Sequence, residues 1–181
     1  MVFLNEIDIL RDVCKRLKEA DIPYMLTGSM AMNYYAIPRM TRDIDIVVDI
    51  DSSDVSKIEK HFSNDYLLSR DAAEDAVYRK SMFNMIHNDS VIKVDLIVRK
   101  SNEYRQVEFA RRKRVKIADF EVYLVSKEDL ILSKLYWAKD SRSEMQLKDV
   151  TNILATGFDE DYLDKWAEKL ALTDLLEECL P

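Results

Sequence analysis

The run Asp43-Ile44-Asp45-Ile46-Val47-Val48 constrains the fold more than any other stretch of the chain. Successive side chains of a strand leave by opposite faces, so Ile44, Ile46 and Val48 enter an apolar layer while Asp43 and Asp45 share the other face. Such a strand has to lie in a sheet that something covers. The covering helices are legible as well. Ile7, Leu10, Val13, Cys14 and Leu17 recur at helical spacing between Glu6 and Ala20, and Pro23 stops that helix before the short apolar strand Tyr24 to Thr27. Gly28-Ser29 punctuates the chain, and Met30 to Tyr35 reads as a helix ending near Ile37-Pro38.

Further on, the pattern predicts a helix from about Ser53 to Phe62. Strands follow over Met82 to His87 and Val91 to Val98 around a turn at Asn88-Asp89-Ser90, with a hairpin from Val115 to Val125 around Ala118-Asp119. Ser126-Lys127-Glu128-Asp129 opens a helix, and apolar faces at Leu130, Leu132 and Leu135, then Leu147, Val150 and Leu154, make the remainder helical. Gly157 sets off a final helix around Tyr162 to Leu170. The expected fold is α/β, a small mixed sheet flanked by helices with a C-terminal helical part. Residues 1–125 form the core, and 126–181 pack on it as one structural unit.

With 181 residues, 48% of them hydrophobic, one domain can bury a core, and a net charge of -7 disfavours uniform attraction to nucleic acid or anionic membranes. Arg111-Arg112-Lys113-Arg114 with Lys116 is a local basic run, either a solvated face beside a strand or a meeting place for phosphates. Cys14 and Cys179 have no paired spacing, so neither a disulfide framework nor a thiolate metal site is expected. The opening Met1 to Asp8 carries acid where a secretory leader carries base, and no apolar run spans a bilayer, so a cytoplasmic protein without a membrane partner is expected. His61 and His87 stand far apart without partners and read as structural.

Two carboxylates on one strand face repel unless a positive charge lies between them, and hard oxygen ligands suit Mg2+ or Mn2+. The plainer alternative is an exposed acidic edge. Gly28-Ser29, between a strand and a helix, offers backbone N–H groups and a helix dipole to a phosphate; Ser29 also fits an ordinary helix N-cap. Asp95 in Val91 to Val98 is the candidate third carboxylate if its strand lies beside that of Asp43, although Lys93 on the same face offers it an ordinary partner.

Leu26-Thr27-Gly28-Ser29 followed by Asp43-Ile44-Asp45-Ile46 resembles the glycine-serine and paired-aspartate signature of the polymerase-beta-like nucleotidyltransferase superfamily, with Asp95 at the place of its third metal ligand. Arg39-Met40-Thr41-Arg42-Asp43-Ile44-Asp45 is similar to the form found in minimal nucleotidyltransferases related to the AbiE-type toxins of abortive-infection systems. Ser126 to Leu154 resembles their helical segment, in which Lys134 and Asp149 match a site lysine and aspartate; solvated surface pairs are the alternative for both.

The resemblance implies a metal-dependent transfer of a nucleoside monophosphate from a nucleoside triphosphate to a hydroxyl. The triphosphate would lie on Gly28 and Ser29 with help from Thr41 and Arg42, and the metal on Asp43, Asp45 and Asp95. Lys134 and Asp149 would complete the catalytic set. Acceptors it allows are a small molecule, a protein hydroxyl or a transfer-RNA end, and an antitoxin-like partner is a further expectation. A non-catalytic nucleotide-binding module on the same fold is the alternative from another class.

Overall fold

Asn5 begins the first helix because its side chain accepts hydrogen bonds from the backbone N–H groups of Ile7 and Asp8, while Asp8 Oδ2 accepts from the Asn5 N–H. That reciprocal cap satisfies groups a helix end would otherwise leave open. The computed structural model describes residues 4–180; residues 1–3, part of the segment read against a secretory leader, and Pro181 lie outside the described residues. Helix α1 (Glu6–Glu19) buries Ile9, Leu10, Val13, Cys14 and Leu17, the stripe its spacing predicts. Each large apolar side chain so buried contributes about 1.5–3 kcal/mol.

The chain continues through β1 (Tyr24–Thr27), α2 (Gly28–Tyr35), β2 (Asp43–Val48), α3 (Val55–Phe62), β3 (Tyr66–Leu68), α4 (Arg70–Arg79), β4 (Met82–His87) and β5 (Lys93–Val98). Then come α5 (Glu103–Ala110), β6 (Lys113–Ile117), β7 (Phe120–Leu124), α6 (Lys127–Ser141), α7 (Glu144–Leu154), α8 (Glu160–Leu170) and α9 (Thr173–Cys179). The strands form one mixed seven-stranded sheet in the order β3-β4-β5-β2-β1-β7-β6. Strand β2 runs antiparallel to β1 and parallel to β5, and β1 runs parallel to β7. One hydrophobic cluster takes in the sheet residues Leu26, Ile46 and Leu96 together with Leu132, Ile153 and Trp166 of the C-terminal helices.

Several boundaries differ from the sequence reading for local reasons. Strand β5 begins at Lys93 rather than Val91, because Val91 has φ +58° and its N–H bonds back to the His87 carbonyl, so the turn takes in two more residues. Strand β3 and helices α4, α5 and α9 are additions. Helix α4 buries only Ala73, Ala76 and Val77, too small an apolar face to stand out in a charged segment. Both cysteines are buried and free. His87 is buried with Nδ1 facing the Ser90 hydroxyl at 3.1 Å, and His61 lies on α3. Among the described residues no helix is long and apolar enough to cross a membrane.

Candidate active site

Strand pairing sets the site. In the ladder between β2 and β5, Asp43 stands opposite Lys93 and Asp45 opposite Asp95, so all four side chains share one face in the middle of the sheet. On the other side of β2, Asp45 pairs with Thr27, the last residue of β1. Gly28 follows directly and adopts φ +66°. A Cβ placed there would lie 2.0 Å from Asp45 Oδ2, so this position needs glycine both for its backbone angle and for the space the carboxylate takes.

The carboxylates are under-compensated. Lys93 Nζ lies 2.9 Å from Asp95 Oδ2 and 3.7 Å from Asp43 Oδ1, while Asp43 stays largely in solvent. Asp95 is buried, and its Oδ1 has no hydrogen-bond partner. Burial first, then the neighbouring charges of Asp95 and Asp43, pushes the Asp45 carboxyl up to about 6. Among the described residues no group of three or more histidine, cysteine or acidic side chains forms a ready-made metal cage, and Lys93 lies across two of the three aspartates. The donor chemistry nonetheless fits a hard divalent cation: oxygen ligands alone, one of them a buried oxygen without a partner, and a carboxyl that burial and then charge crowding make reluctant to ionise.

Beside the carboxylates stands a second group. Lys134 of α6 and Asp149 of α7 are both buried, with Lys134 Nζ donating to Asp149 Oδ2 at 2.8 Å and to Gln146 Oε1 at 3.0 Å. They are therefore not solvated surface pairs. Arg39 donates to the same carboxylate through Nε (3.1 Å) and Nη2 (3.0 Å), and Nη2 also donates to Ser29 Oγ at 2.6 Å. Burial would raise the Asp149 carboxyl, but the hydrogen bonds from Arg39 and Lys134 outweigh it and hold the group below its ordinary value. Burial lowers the Lys134 ammonium, and Asp149 only partly restores it.

Ser29 is not a helix N-cap. That position falls to Thr27, whose side chain makes no capping hydrogen bond, so the α2 N-terminus has no side-chain cap to compete with an anion. Sequence reasoning gives the positive role to Arg42 or Lys134; Arg42 is exposed and has no ion pair among the described residues. Thr41, half-buried, directs its hydroxyl to the Asp43 carbonyl at 3.4 Å. Arg39, two residues before Thr41 in the same motif, makes the contacts instead. The basic run divides: Arg111 binds Asp129 and lies 3.7 Å over the Tyr162 ring, Arg112 stacks on Phe109, and Lys113 and Arg114 are exposed.

A cavity of about 710 Å³ opens between the sheet face and α6, lined at one end by Gly28, Ser29, Asp45 and Lys134. Arg105, Glu108 and Ser133 also line it, with Arg105 Nη1 2.8 Å from both Glu108 oxygens. Arg105 and Glu108 give no signal in the sequence because α5 itself does not stand out there, and Ser133 is one ordinary serine on α6.

The fold is similar to that of several solved structures. The lincosamide antibiotic adenylyltransferase LnuA, with lincomycin bound, superposes with a TM-score of 0.58 at 16% identity over 86% of this chain and 99% of its own. The fold is the nucleotidyltransferase fold. ANT(2″)-Ia in complex with adenylyl-2″-tobramycin matches at 0.58 with 13% identity, over 96% of each chain. An antigenic nucleotidyltransferase-like protein from Paracoccidioides brasiliensis matches at 0.55 with 16% identity, over 93% of this chain and 90% of its own. No protein-family model and no curated protein matches the sequence.

Proposed function

We propose that the protein is a metal-dependent nucleotidyltransferase that moves a nucleoside monophosphate from a nucleoside triphosphate to a hydroxyl acceptor. The observation that carries this reading is the buried, unpartnered Oδ1 of Asp95 in register with Asp45, beside a glycine whose missing side chain leaves room for that carboxylate. A buried charge left so poorly compensated costs stability, and such cost concentrates where chemistry needs it.

In this reading Gly28 and Ser29 at the N-terminus of α2 receive the triphosphate, and Lys134, already held beside Asp149, supplies positive charge to it. Arg39 orients the Ser29 hydroxyl. Asp43, Asp45 and Asp95 would hold Mg2+ or Mn2+, which when bound lowers the charge on the phosphates and favours an ionised acceptor oxygen. The acceptor oxygen attacks the α-phosphorus, the bond between the α-phosphorus and its bridging oxygen to the β-phosphate breaks, and pyrophosphate leaves. The acceptor proton passes to the Asp95 carboxylate. Positioning and electrostatics supply most of the acceleration.

The acceptor we favour is a small hydroxylated molecule, as lincomycin is the ligand bound in LnuA and adenylyl-2″-tobramycin in ANT(2″)-Ia. A protein hydroxyl and a transfer-RNA end are the further candidates. The likeness of Arg39 to Asp45 to the AbiE-type toxins adds an antitoxin-like partner and a cytoplasmic setting to the proposal, with residues 1–125 and 126–181 acting as one unit.

One observation favours a second reading: Lys93 lies where a cation would be wanted, so the site could hold nucleotide without metal as a non-catalytic module. Incubation with each α-labelled nucleoside triphosphate, Mg2+ and a panel of hydroxylated small molecules, RNA and lysate protein separates the two. Label transfer with pyrophosphate release, lost in Asp45→Asn, is the expected result. Metal-independent binding with no transfer to any acceptor would select the module.

A further inference from the structure

At the end of the cavity away from the aspartates, three large apolar side chains stand in solvent together: Met82 of β4 is 43% exposed, Tyr136 47% and Trp137 63%. Single exposed apolar residues are ordinary, but here two elements converge three of them on one opening. Helix α6 faces that opening with Leu130, Ser133, Lys134 and Trp137, the i, i+3, i+4, i+7 stripe of one helical face. Lys134, fixed beside the phosphate cradle, is thus about one turn, ~5 Å along the axis, from Trp137. The floor between them is apolar, made by Val47, Ile97 and Val98.

The aromatic wall is braced from behind. The Arg105 guanidinium lies 5.5 Å from the Tyr136 ring centroid, held by both Glu108 oxygens and by Ser133 Oγ at 2.7 Å. Glu108 is itself buried and accepts from the Ser133 hydroxyl at 2.6 Å, so Arg105 has no freedom to swing into the cavity as a phosphate ligand. Lys100 and Asp140, at the same rim, have no ion pair among the described residues and offer a donor and an acceptor to the edge of a ring.

We infer that Tyr136, Trp137 and Met82 form a subsite for a planar heteroaromatic ring, a nucleobase, belonging to the ligand whose phosphates lie at Gly28-Ser29 and Lys134. The inference rests on the proposed transferase site and deepens it. The same ring chemistry has two sources, the base of the triphosphate and the terminal base of an RNA acceptor, and stacking on an aromatic side chain does not discriminate between them.

Trp137 gives a direct signal, because Trp166 is buried against Tyr104 and Tyr162. The full-length protein is titrated by calorimetry, with Mg2+ present, with α,β-methylene-ATP, inorganic tripolyphosphate, adenosine and the trinucleotide CCA, for wild type, Trp137→Leu and Trp137→Phe, and Trp137 fluorescence is followed in wild type. The expected result is quenching by the base-bearing ligands and not by tripolyphosphate, with Trp137→Leu losing about tenfold in affinity for the ring-bearing ligand alone and Trp137→Phe recovering most of it. Loss confined to α,β-methylene-ATP assigns the ring to the donor, and loss confined to CCA assigns it to an acceptor. Equal binding of every ligand by wild type and Trp137→Leu, or an equal loss for tripolyphosphate, overturns the subsite. Failure of tripolyphosphate to bind wild type, with adenosine still quenching Trp137, overturns the phosphate cradle instead and leaves the ring subsite standing.

Discussion

Two buried aspartates, Asp129 and Asp95, are treated in opposite ways by the structure. Asp129, at the start of α6, is fully enclosed and fully partnered: Ser126 Oγ and Arg111 Nε donate to Oδ2 at 2.6 and 3.1 Å, and the Tyr162 hydroxyl donates to Oδ1 at 2.7 Å. Asp95, in the middle of the sheet, shares one lysine with Asp43, stands beside Asp45 and leaves one oxygen with nothing. A carboxylate satisfied on every side ties α6, α8 and the end of α5 together and has nothing left to offer a ligand. One left short of donors is an architectural cost unless a ligand completes it.

That contrast is open to direct attack. The largest expected effect is on activity: Asp95→Asn lowers nucleotidyl transfer on the order of a thousandfold, while its denaturation midpoint stays near that of wild type or rises, because one of three crowded charges is gone. Activity of Asp95→Asn close to wild type would dissolve the comparison. The reverse is expected of Asp129→Ala, which strands Arg111 and loses roughly 3–5 kcal/mol in urea unfolding. Its remaining folded fraction transfers at the wild-type rate.

Lys134→Met sharpens the comparison, since Lys134 is both buried and partnered, yet lines the cavity. Removing it leaves Asp149 with Arg39, so the stability loss is about 2 kcal/mol, accompanied by weaker triphosphate binding. A stability loss with unchanged triphosphate affinity would move Lys134 to the architectural side.

Smaller still is a pH effect in the metal-free protein. The Asp45 carboxyl is raised in the folded state to about 6, so folding takes up a proton between that value and the ordinary carboxylate range. The sign follows: the stability of the metal-free protein gains as pH falls from about 6 towards 4, by on the order of 1–2 kcal/mol relative to Asp45→Asn, whose curve lacks this component. Parallel curves would show that Asp45 is not crowded. The smallest effect belongs to Arg114→Ala, which removes an exposed pair with Glu121 and changes stability by less than about 0.5 kcal/mol.

How much of this was legible in the sequence depends on whether the signal is local. Strand β2 and the stripe of α1 follow from period alone, and the turn at Gly28 follows from a single glycine placed between strand and helix. The pairing of Asp45 with Asp95 across fifty residues of chain is not local, but one resemblance and one apolar run suffice to suggest it. What stayed hidden was hidden for a reason. Arg39 and Arg42 are equivalent as sequence, and the loop is pinned by hydrogen bonds the sequence does not announce: Asn33 Nδ2 donates to the Arg39 carbonyl and Asn33 Oδ1 accepts from the Arg39 N–H. Helix α5 buries only Tyr104, Glu108 and Phe109, so neither its period nor its buried carboxylate stands out, and with it went the brace behind Tyr136.

The most direct test is calorimetry of α,β-methylene-ATP binding with and without Mg2+, on wild type, Asp45→Asn and Asp95→Asn. Tight binding by wild type that needs Mg2+, and that both variants lose together, is the predicted result. Binding of equal strength in all three proteins, indifferent to Mg2+, would contradict the assignment of these carboxylates to a cation and a triphosphate.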